Sequence, residues 1–227
     1  MVYASADHDL YQVDPSTLAQ THLCSFNGAL TNSTADVVTD IAVQNAGTLY
    51  AITETRLLTV DPHTCAATQV ASLSQAGTRW VGLTFTAGGQ LLAADGSGNV
   101  VTIDPTTGAV TSAGSFGTNL VCSGDIVAIN DSNGTIYATA SNAQGTGNDQ
   151  LVTLDPTTHA ATVIGSVGFS KVYGLGYWGG TLYGFTHTGL TLQINPSTGQ
   201  GTQIGSTSPS VSFSGGATTP LAPVITH

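Results

Sequence analysis

The chain has 227 residues, of which 41% are hydrophobic and 7% are charged. This length and hydrophobic content are enough for one large domain with a substantial buried core, or for two small domains. The net charge at pH 7 is −10, from 3 basic and 13 acidic side chains, so the chain repels phosphate backbones and anionic lipid surfaces. We therefore expect no nucleic acid partner. Since no apolar run approaches the ~18–20 residues of a membrane helix, we also expect no membrane insertion.

The N-terminal stretch MVYASADHDL lacks the basic region and the apolar core of a signal peptide. We interpret its first residue as an artificial start that follows removal of any natural leader. Few lysines, many serines and threonines, and sequons at Asn32 and Asn133 favour an extracellular location. The cysteines Cys24, Cys65 and Cys122 cannot all pair within one chain and form no CxxC motif. We therefore expect at least one free thiol and neither a disulfide framework nor a zinc cluster.

One phrase recurs five times along the chain, each time around an Asp-Pro or Asn-Pro pair. Apolar residues alternate with polar ones before the pair and again after it, and alternation with period two is typical of a half-buried strand. Each copy is therefore predicted to form a β-hairpin. The copies read YQVDPSTLAQTHLCSF at 11–26, LTVDPHTCAATQVASL at 58–73, VTIDPTTGAVTSAGSF at 101–116, VTLDPTTHAATVIGSV at 152–167 and LQINPSTGQGTQIGST at 192–207.

The turn of each hairpin is explained by the chemistry of its residues. Proline fixes the backbone at the first turn position, and the Asp side chain accepts hydrogen bonds from backbone N–H groups just downstream. Gly108 or Gly199 then takes a left-handed conformation, whereas Leu18, Cys65 and His159 occupy this position in the other copies. We therefore interpret as turn residues, and not as catalytic acids, Asp14, Asp61, Asp104, Asp155 and Asn195.

The five hairpins are spaced like the blades of a β-propeller. Their prolines, at positions 15, 62, 105, 156 and 196, are separated by 47, 43, 51 and 40 residues, close to the ~40–50 residues of a four-stranded blade. Between the hairpins lie further strand pairs joined by glycine-containing turns, at 40–52, 82–94, 125–139 and 174–185. The predicted fold class is all-β, a five-bladed β-propeller of four-stranded antiparallel blades.

The first blade lacks an innermost strand before its own hairpin. The segment VSFSGGATT at 211–219 is the natural replacement, and its pairing beside the N-terminal strand would close the ring and remove an exposed edge. We expect a single domain followed by a tail or linker at 220–227. Its predicted blades span 1–26 with 211–219, 37–73, 79–116, 121–167 and 171–207.

The repeats resemble those of secreted bacterial β-propellers whose blades end in LYxIDPxTGxxTxIG, and more distantly the PQQ-type and YVTN-type repeats. The resemblance covers nearly the whole chain and implies the propeller fold, whereas such propellers differ widely in function. The tryptophans that follow the turn in PQQ-type repeats are missing here, so a quinone cofactor is not expected. The tail PLAPVITH resembles the lead-in to an Ig-like module, and we expect a monomeric domain of a larger exported protein.

The loops of a propeller divide between its two faces. The Asp-Pro turns lie on one face, and the other, here called the loop-rich face, carries the blade-to-blade loops and the middle loops at 5–9, 52–56, 94–99, 141–149 and 186–189. All three cations, the only glutamate and two of the six histidines belong to the loop-rich face. Binding residues concentrate in loops on a rigid scaffold, which makes this the predicted binding face. The alternative is that charged residues occupy these loops for solvation alone.

Cations beside aromatic residues are the main ligand-binding candidates on this face. Arg79 and Lys171 occupy corresponding positions in the third and fifth blades, and Trp80 and Tyr173 follow them. A cation beside an aromatic ring at a channel mouth suits a sugar or a carboxylate ligand. The alternative is an aliphatic stem packed on the ring. The full candidate set is Arg79, Trp80, Lys171, Tyr173, Glu54 and Arg56.

Carboxylates near the predicted channel mouth are candidate metal ligands. Asp40 and Asp125 begin corresponding inner strands of the second and fourth blades, where they could hold a cation such as Ca²⁺ at the central channel together with backbone carbonyls. We favour the alternative, in which both cap their strands by accepting hydrogen bonds from backbone N–H groups. A transition-metal site is also conceivable between loops that ring closure makes neighbours. Its ligands would be Asp7, His8, Asp9 and His187.

The favoured function is a non-catalytic extracellular recognition or scaffold domain that binds a neutral glycan or a protein partner on the loop-rich face. The first alternative is a carbohydrate-active hydrolase or lyase that uses Asp40 and Asp125, because glycoside hydrolysis needs two carboxyl groups around the sugar. The second alternative is a structural spacer in a larger surface protein. A Ser-His-Asp hydrolase is not indicated, since the chain has no GxSxG motif and His22, His63 and His159 fall in outer hairpins.

Overall fold

Five four-stranded, mainly antiparallel sheets arranged as blades in a ring make up the computed structural model, confirming the predicted five-bladed β-propeller. The structure describes residues 2–14, 16–17, 19–30, 37–75, 78–117, 119–207 and 211–219. Within these ranges no helix is long and apolar enough to cross a membrane. Three features predicted from the sequence lie outside the described residues, namely the sequon at Asn32, the turn position Leu18 and the tail 220–227.

Each blade is built from consecutive strands, numbered here in chain order. Blade 1 contains β1 (Val2–Ala6), β2 (Asp9–Val13) and β3 (Gln20–Ser25). Blade 2 contains β5 (Asp40–Val43), β6 (Leu49–Ile52), β7 (Arg56–Val60) and β8 (Ala66–Ser72), preceded by the two-residue strand β4 (Asn27–Gly28). Blade 3 contains β9 (Trp80–Phe85), β10 (Leu91–Asp95), β11 (Asn99–Ile103) and β12 (Val110–Ser115).

The remaining two blades follow the same plan. Blade 4 contains β13 (Leu120–Ala128), β14 (Ile136–Asn142), β15 (Gln150–Leu154) and β16 (Ala161–Ser166). Blade 5 contains β17 (Val172–Trp178), β18 (Thr181–Thr186), β19 (Leu190–Ile194) and β20 (Gly201–Ser206), and the chain ends its described part with β21 (Phe213–Ala217). Strand β13 begins earlier than the predicted inner strand, and its pairing with β14 shifts register between Cys122 and Ile126.

The outer hairpins have the predicted turn chemistry. In blade 3, Asp104 Oδ1 accepts hydrogen bonds from the N–H groups of Thr106 at 2.8 Å and Thr107 at 3.0 Å. The same bonds recur at Asp14, Asp61, Asp155 and Asn195. Left-handed backbone follows not only at Gly108 and Gly199 but also at Cys65 (φ 52°) and His159 (φ 57°).

The C-terminal strand closes the ring, as predicted. Strand β21 pairs antiparallel with β1, with Tyr3 opposite Ala217 and Ala4 opposite Gly216. The Phe213 side chain is fully buried and contacts the rings of both Tyr11 and Phe185, which joins the first blade to the fifth. Closure leaves no inner strand of the first blade unpaired, so the first and last parts of the chain form one sheet.

A disulfide that the sequence did not indicate joins the first two blades. Cys24, in β3, is bonded to Cys65, in the turn before β8. The segment after β3 runs beside β8 as the short parallel strand β4, which brings the two cysteines together. The third cysteine, Cys122, is free and buried, which confirms that at least one thiol stays unpaired.

The innermost strands pack backbone against backbone around the axis. Glycine is required where they approach closest, because a β-carbon added at Gly124 would lie 2.1 Å from the Val172 carbonyl oxygen. A β-carbon added at Gly215 would lie 2.1 Å from Asp40 Oδ1. The blades therefore meet at the axis with no space for side chains at these positions, and the apolar core lies between neighbouring blades.

Candidate functional site

A pocket of about 280 Å³, here called the axial pocket, lies on the loop-rich face at the centre of the ring. All five blades contribute to it, which follows from its position over the inner strands. Its polar and aromatic lining residues are Asp7, Thr39, Glu54, Arg79, Trp80, Ser123, Tyr173, His187 and Ser214. The structure thus brings together five of the residues that the sequence placed on the binding face as ligand or metal candidates, and a sixth, Trp80, lines the pocket with them.

Two buried carboxyl groups lie directly beneath this pocket. Thr39 and Gly124 line the pocket and are followed in the chain by Asp40 and Asp125, which are both 0% exposed. The two carboxyl groups are hydrogen-bonded to each other, so one of them carries a proton. A ligand in the axial pocket is therefore separated from the carboxyl oxygens by backbone.

Asp40 joins three blades through its carboxyl oxygens. Its Oδ1 accepts hydrogen bonds from the N–H groups of Ile41 at 2.8 Å and Gly216 at 3.2 Å. Its Oδ2 accepts a hydrogen bond from the N–H of Leu83 at 2.5 Å. Ile41 belongs to blade 2, Leu83 to blade 3 and Gly216 to the strand that completes blade 1. The carboxyl group satisfies backbone donors that the close approach of these strands would otherwise leave buried and unpaired.

Asp125 joins blades 4 and 5 through its carboxyl oxygens in the same way. Its Oδ1 accepts a hydrogen bond from the N–H of Ile126 at 2.6 Å, and its Oδ2 accepts one from the N–H of Leu175 in blade 5, also at 2.6 Å. Burial raises the pKa of Asp125, and burial together with the neighbouring Asp125 charge raises the pKa of Asp40 well above its usual range.

This geometry matches the capping interpretation of the two aspartates. The oxygens of both side chains accept backbone N–H groups of the inner strands, as that interpretation predicts. Both carboxyl groups are 0% exposed, whereas the hydrolase or lyase alternative needs two carboxyl groups in contact with a sugar.

Trp80 lines the axial pocket and packs in the buried core between blades 2 and 3. Trp80 is the first residue of β9 and pairs with Asp95 across a register shift between β9 and β10. Trp80 is only 1% exposed, and among the described residues its Nε1–H has no hydrogen-bond partner. Buried polar groups are nearly always hydrogen-bonded, so an unpartnered donor in a pocket wall marks a place where a ligand or water can accept.

A second depression of about 410 Å³, here called the lateral pocket, adjoins the first between blades 3, 4 and 5. Both pockets are lined by Arg79, Val81, Ser123 and Tyr173, so they form two ends of one groove. Lys171 lines only the lateral pocket. The Tyr173 ring stacks at a tilt on the His187 imidazole, with ring centroids 5.4 Å apart.

Asp149 lines the lateral pocket, and its sequence context did not identify it as a candidate site residue. It is 3% exposed, and its Oδ2 accepts a hydrogen bond from the N–H of Val172 at 2.7 Å. Burial raises the pKa of Asp149 to about 6. The neighbouring Lys171 has left-handed backbone, with φ 57°, which is unfavourable for a residue with a side chain. The only sequence signal was the position of Asp149 at the end of a polar loop just before β15.

Other candidates lie away from the groove. Arg56 Nη1 donates hydrogen bonds to the Ala29 carbonyl oxygen at 2.8 Å and to Gln69 Oε1 at 3.4 Å, so it secures the segment after β4 to blade 2. Asp9 Oδ1 accepts hydrogen bonds from His22 Nε2 at 3.0 Å and Ser25 Oγ at 2.6 Å.

The transition-metal hypothesis finds no matching cluster. Asp7 and His187 both line the axial pocket, whereas His8 and Asp9 do not. In the part of the chain that the structure describes, no three His, Cys, Asp or Glu side chains are grouped to hold a metal ion.

Comparison with known proteins gives information on the fold alone. No family model matches the chain, and no curated protein matches it. Among solved structures, the chain is similar to a protein of unknown function from Bacteroides caccae, with a TM-score of 0.52 and 10% sequence identity. The similarity covers 89% of this chain and 72% of the other. At this identity the likeness supports the propeller arrangement and says nothing about a ligand.

Proposed function

We propose that the protein is a non-catalytic recognition module that binds a glycan in the axial pocket. The observation that carries this proposal is the unpartnered Nε1–H of Trp80 in the wall of a pocket to which all five blades contribute. The indole supplies one donor for a hydroxyl oxygen, and the apolar side chains of Val37 and Val81 line the same pocket.

The remaining lining groups suit the hydroxyls of a sugar. The carboxylates of Asp7 and Glu54 are exposed at the pocket and accept hydrogen bonds, while Arg79 donates them. Ligand pockets with a few convergent polar groups on an apolar wall fit this description. A volume of about 280 Å³ is close to the lower end of the usual range for small-molecule sites, which suits one sugar ring.

An extracellular role for this module rests on three features. The blade repeats resemble those of secreted bacterial propellers. The Cys24–Cys65 disulfide is a type of bond that persists in oxidising compartments. The sequon residue Asn133 is exposed in a hairpin turn, where a glycan could be attached.

Trp80→Phe tests the proposal because it keeps most of the packing and removes only the N–H donor. On a glycan array we expect the wild-type protein to bind a defined set of glycans without cleaving them. The loss of one hydrogen bond should weaken this binding by about tenfold. Trp178→Phe is the matched control, since it changes the only other tryptophan, which does not line the pocket, and should bind normally.

The other functions predict different results in the same experiment. Cleavage of a bound glycan would support a carbohydrate-active enzyme and overturn the proposal. Binding to proteins regardless of their glycans would support a protein partner instead. Failure of the wild-type protein to bind any glycan would leave the spacer function and overturn the recognition module.

A further inference from the structure

Two of the three cations in the chain meet at the lateral pocket. The chain carries only three Lys and Arg residues in a net charge of −10. Arg79 and Lys171 both line the lateral pocket, while Arg56 binds backbone elsewhere. Positive charge is scarce on this protein, so its concentration at one end of one groove is a specific feature of that groove.

Neither cation is neutralised by a described partner. Arg79 and Lys171 are exposed, and neither forms an ion pair with a residue in the described ranges. The carboxyl group in the lining of the lateral pocket, that of Asp149, is buried and accepts a hydrogen bond from the backbone N–H of Val172. The lateral pocket therefore presents two charges with free donors, which is the arrangement that a carboxylate ligand needs.

The segment that carries Lys171 is held in place by bonds to Asp149. Besides the side-chain bond to Val172, the Asp149 N–H donates to the Phe169 carbonyl oxygen at 2.8 Å, and the Asp149 carbonyl oxygen accepts from Val167 at 2.8 Å. These bonds fix Lys171 in its left-handed conformation. Strained backbone that the surroundings enforce is found preferentially at functional sites.

The groove has opposite charges at its two ends. Asp7 and Glu54 line the axial pocket only, and Lys171 lines the lateral pocket only, with Arg79 shared between them. The combined groove is longer than one sugar ring needs. A ligand that fills it presents hydroxyl donors to the axial end and an anionic group to the lateral end.

We propose that the groove binds an acidic glycan of at least two sugar units, with a sugar ring in the axial pocket and a carboxylate between Arg79 and Lys171. This inference rests on the proposed function and replaces the neutral glycan that we expected from the sequence. The overall negative charge sets the long-range field, whereas the two cations determine the local preference within the Debye length of about 10 Å.

Two pairs of probes separate charge from shape. The first pair is sialyllactose and lactose, and the second is trigalacturonate and its full methyl ester, which keeps the sugar chain and removes the charge. We expect an acidic probe to bind at least about tenfold more tightly than its neutral counterpart in calorimetry. The preference should shrink as NaCl rises from about 20 mM to about 300 mM, because salt screens the ion pairs.

Variants of the two cations identify the residues responsible. Lys171→Gln should remove most of the preference for the acidic probe and leave the affinity for the neutral probe unchanged, because Lys171 lines the lateral pocket only. Arg79→Gln should remove the preference as well, but it should also weaken the neutral probe, because Arg79 lines both pockets. Lys171→Gly provides an independent check, because glycine adopts the left-handed backbone at this position without strain. This variant should therefore have a higher melting temperature, while its affinity for the acidic probe falls. Arg56→Gln is the matched control, with the same change in net charge, and should keep the preference.

The result can overturn this inference without overturning the proposed function. Equal binding of acidic and neutral probes, still weakened by Trp80→Phe, would refute the acidic glycan and retain the recognition module. Retained preference in both Arg79→Gln and Lys171→Gln would also refute it. Absence of binding to every glycan in wild-type protein would instead refute the proposed function and this inference together.

Discussion

Asp40 and Asp125 are hydrogen-bonded to each other at the centre of the ring although they belong to blades that are not neighbours. Through backbone N–H groups they also contact inner strands of the other three blades. One pair of carboxyl groups therefore links all five blades beneath the axial pocket. Because the pair is 0% exposed, its protonation state is coupled to folding.

The first prediction concerns pH. Burial raises the pKa of Asp125 to about 8 and that of Asp40 well above its usual range, compared with about 3.9 in an unfolded chain. Between these values the native state binds more protons than the unfolded state, so the free energy of unfolding falls as pH rises. We expect a higher melting temperature at about pH 5 than at about pH 8.5. Thermal denaturation followed by circular dichroism at the two pH values measures this difference in melting temperature.

The control must separate this effect from the general repulsion of an acidic protein. Asp125→Asn and Asp104→Asn each remove one carboxyl group, but Asp104 is an exposed turn residue whose pKa is held below its usual value by backbone hydrogen bonds. We expect Asp125→Asn to flatten the dependence on pH and Asp104→Asn to leave it unchanged. A wild-type melting temperature that stays constant or rises from pH 5 to 8.5 would contradict the coupling.

The second prediction concerns the close approach of the inner strands. Gly215→Ala would place a methyl group 2.1 Å from Asp40 Oδ1, where neither backbone nor carboxyl can move freely. We expect a loss of about 2 kcal/mol or more in the free energy of unfolding, from overpacking and disturbed hydrogen bonds. Gly88→Ala, whose nearest neighbour is 3.8 Å away, is the control in urea denaturation. Equal stability of the two variants would show that the axis relaxes around the added carbon.

The third prediction concerns the disulfide between the first two blades. The Cys24–Cys65 bond closes a sequence separation of 41 residues, so breaking it should cost about 2–4 kcal/mol by releasing the unfolded chain. We expect dithiothreitol to lower the melting temperature of the wild type but not of a Cys24→Ser, Cys65→Ser double variant. Cys122→Ala should stay sensitive to the reductant. A reductant-insensitive wild type would argue against the bond.

The fourth prediction concerns the turn aspartates. Asp155 Oδ1 accepts the N–H groups of Thr157 at 2.9 Å and Thr158 at 2.7 Å, and these bonds hold the pKa of Asp155 below its usual value. Asn195 makes the equivalent bonds with its amide oxygen. We therefore expect Asp155→Asn to retain nearly all of the melting temperature and Asp155→Ala to lower it. Equal losses would mean that charge, and not the acceptor, stabilises the turn.

The parts of the fold that could be predicted are those encoded locally. Each hairpin carries its own alternation and its own turn residues, so Asp104 and Gly108 suffice to place a turn without knowledge of the rest of the chain. The closure by β21 followed from the fivefold repetition, since one inner strand was missing and one segment was left over. The assignment of loops to faces then brought Glu54, Arg79 and His187 to one pocket.

The features that could not be predicted depend on contacts between distant segments. The Cys24–Cys65 bond requires the parallel pairing of β4 with β8, and no local pattern encodes a two-residue strand. Asp149 acts on Lys171 through a backbone bond to Val172 that spans 23 residues, so neither residue reveals the other in the sequence. The sequence also places Trp80 beside Arg79 but does not show that its N–H is left without a partner.

Glycine at the innermost positions has a further consequence for the floor of the axial pocket. A β-carbon added at Gly174 would lie 2.6 Å from the Gly215 backbone, and one added at Gly216 would lie 2.8 Å from the Leu175 carbonyl oxygen. Main chains this close make the part of the ring beneath the axial pocket a layer of backbone. Side-chain substitution cannot alter that layer without displacing a strand, so we expect ligand preference to be set by the loop residues above it.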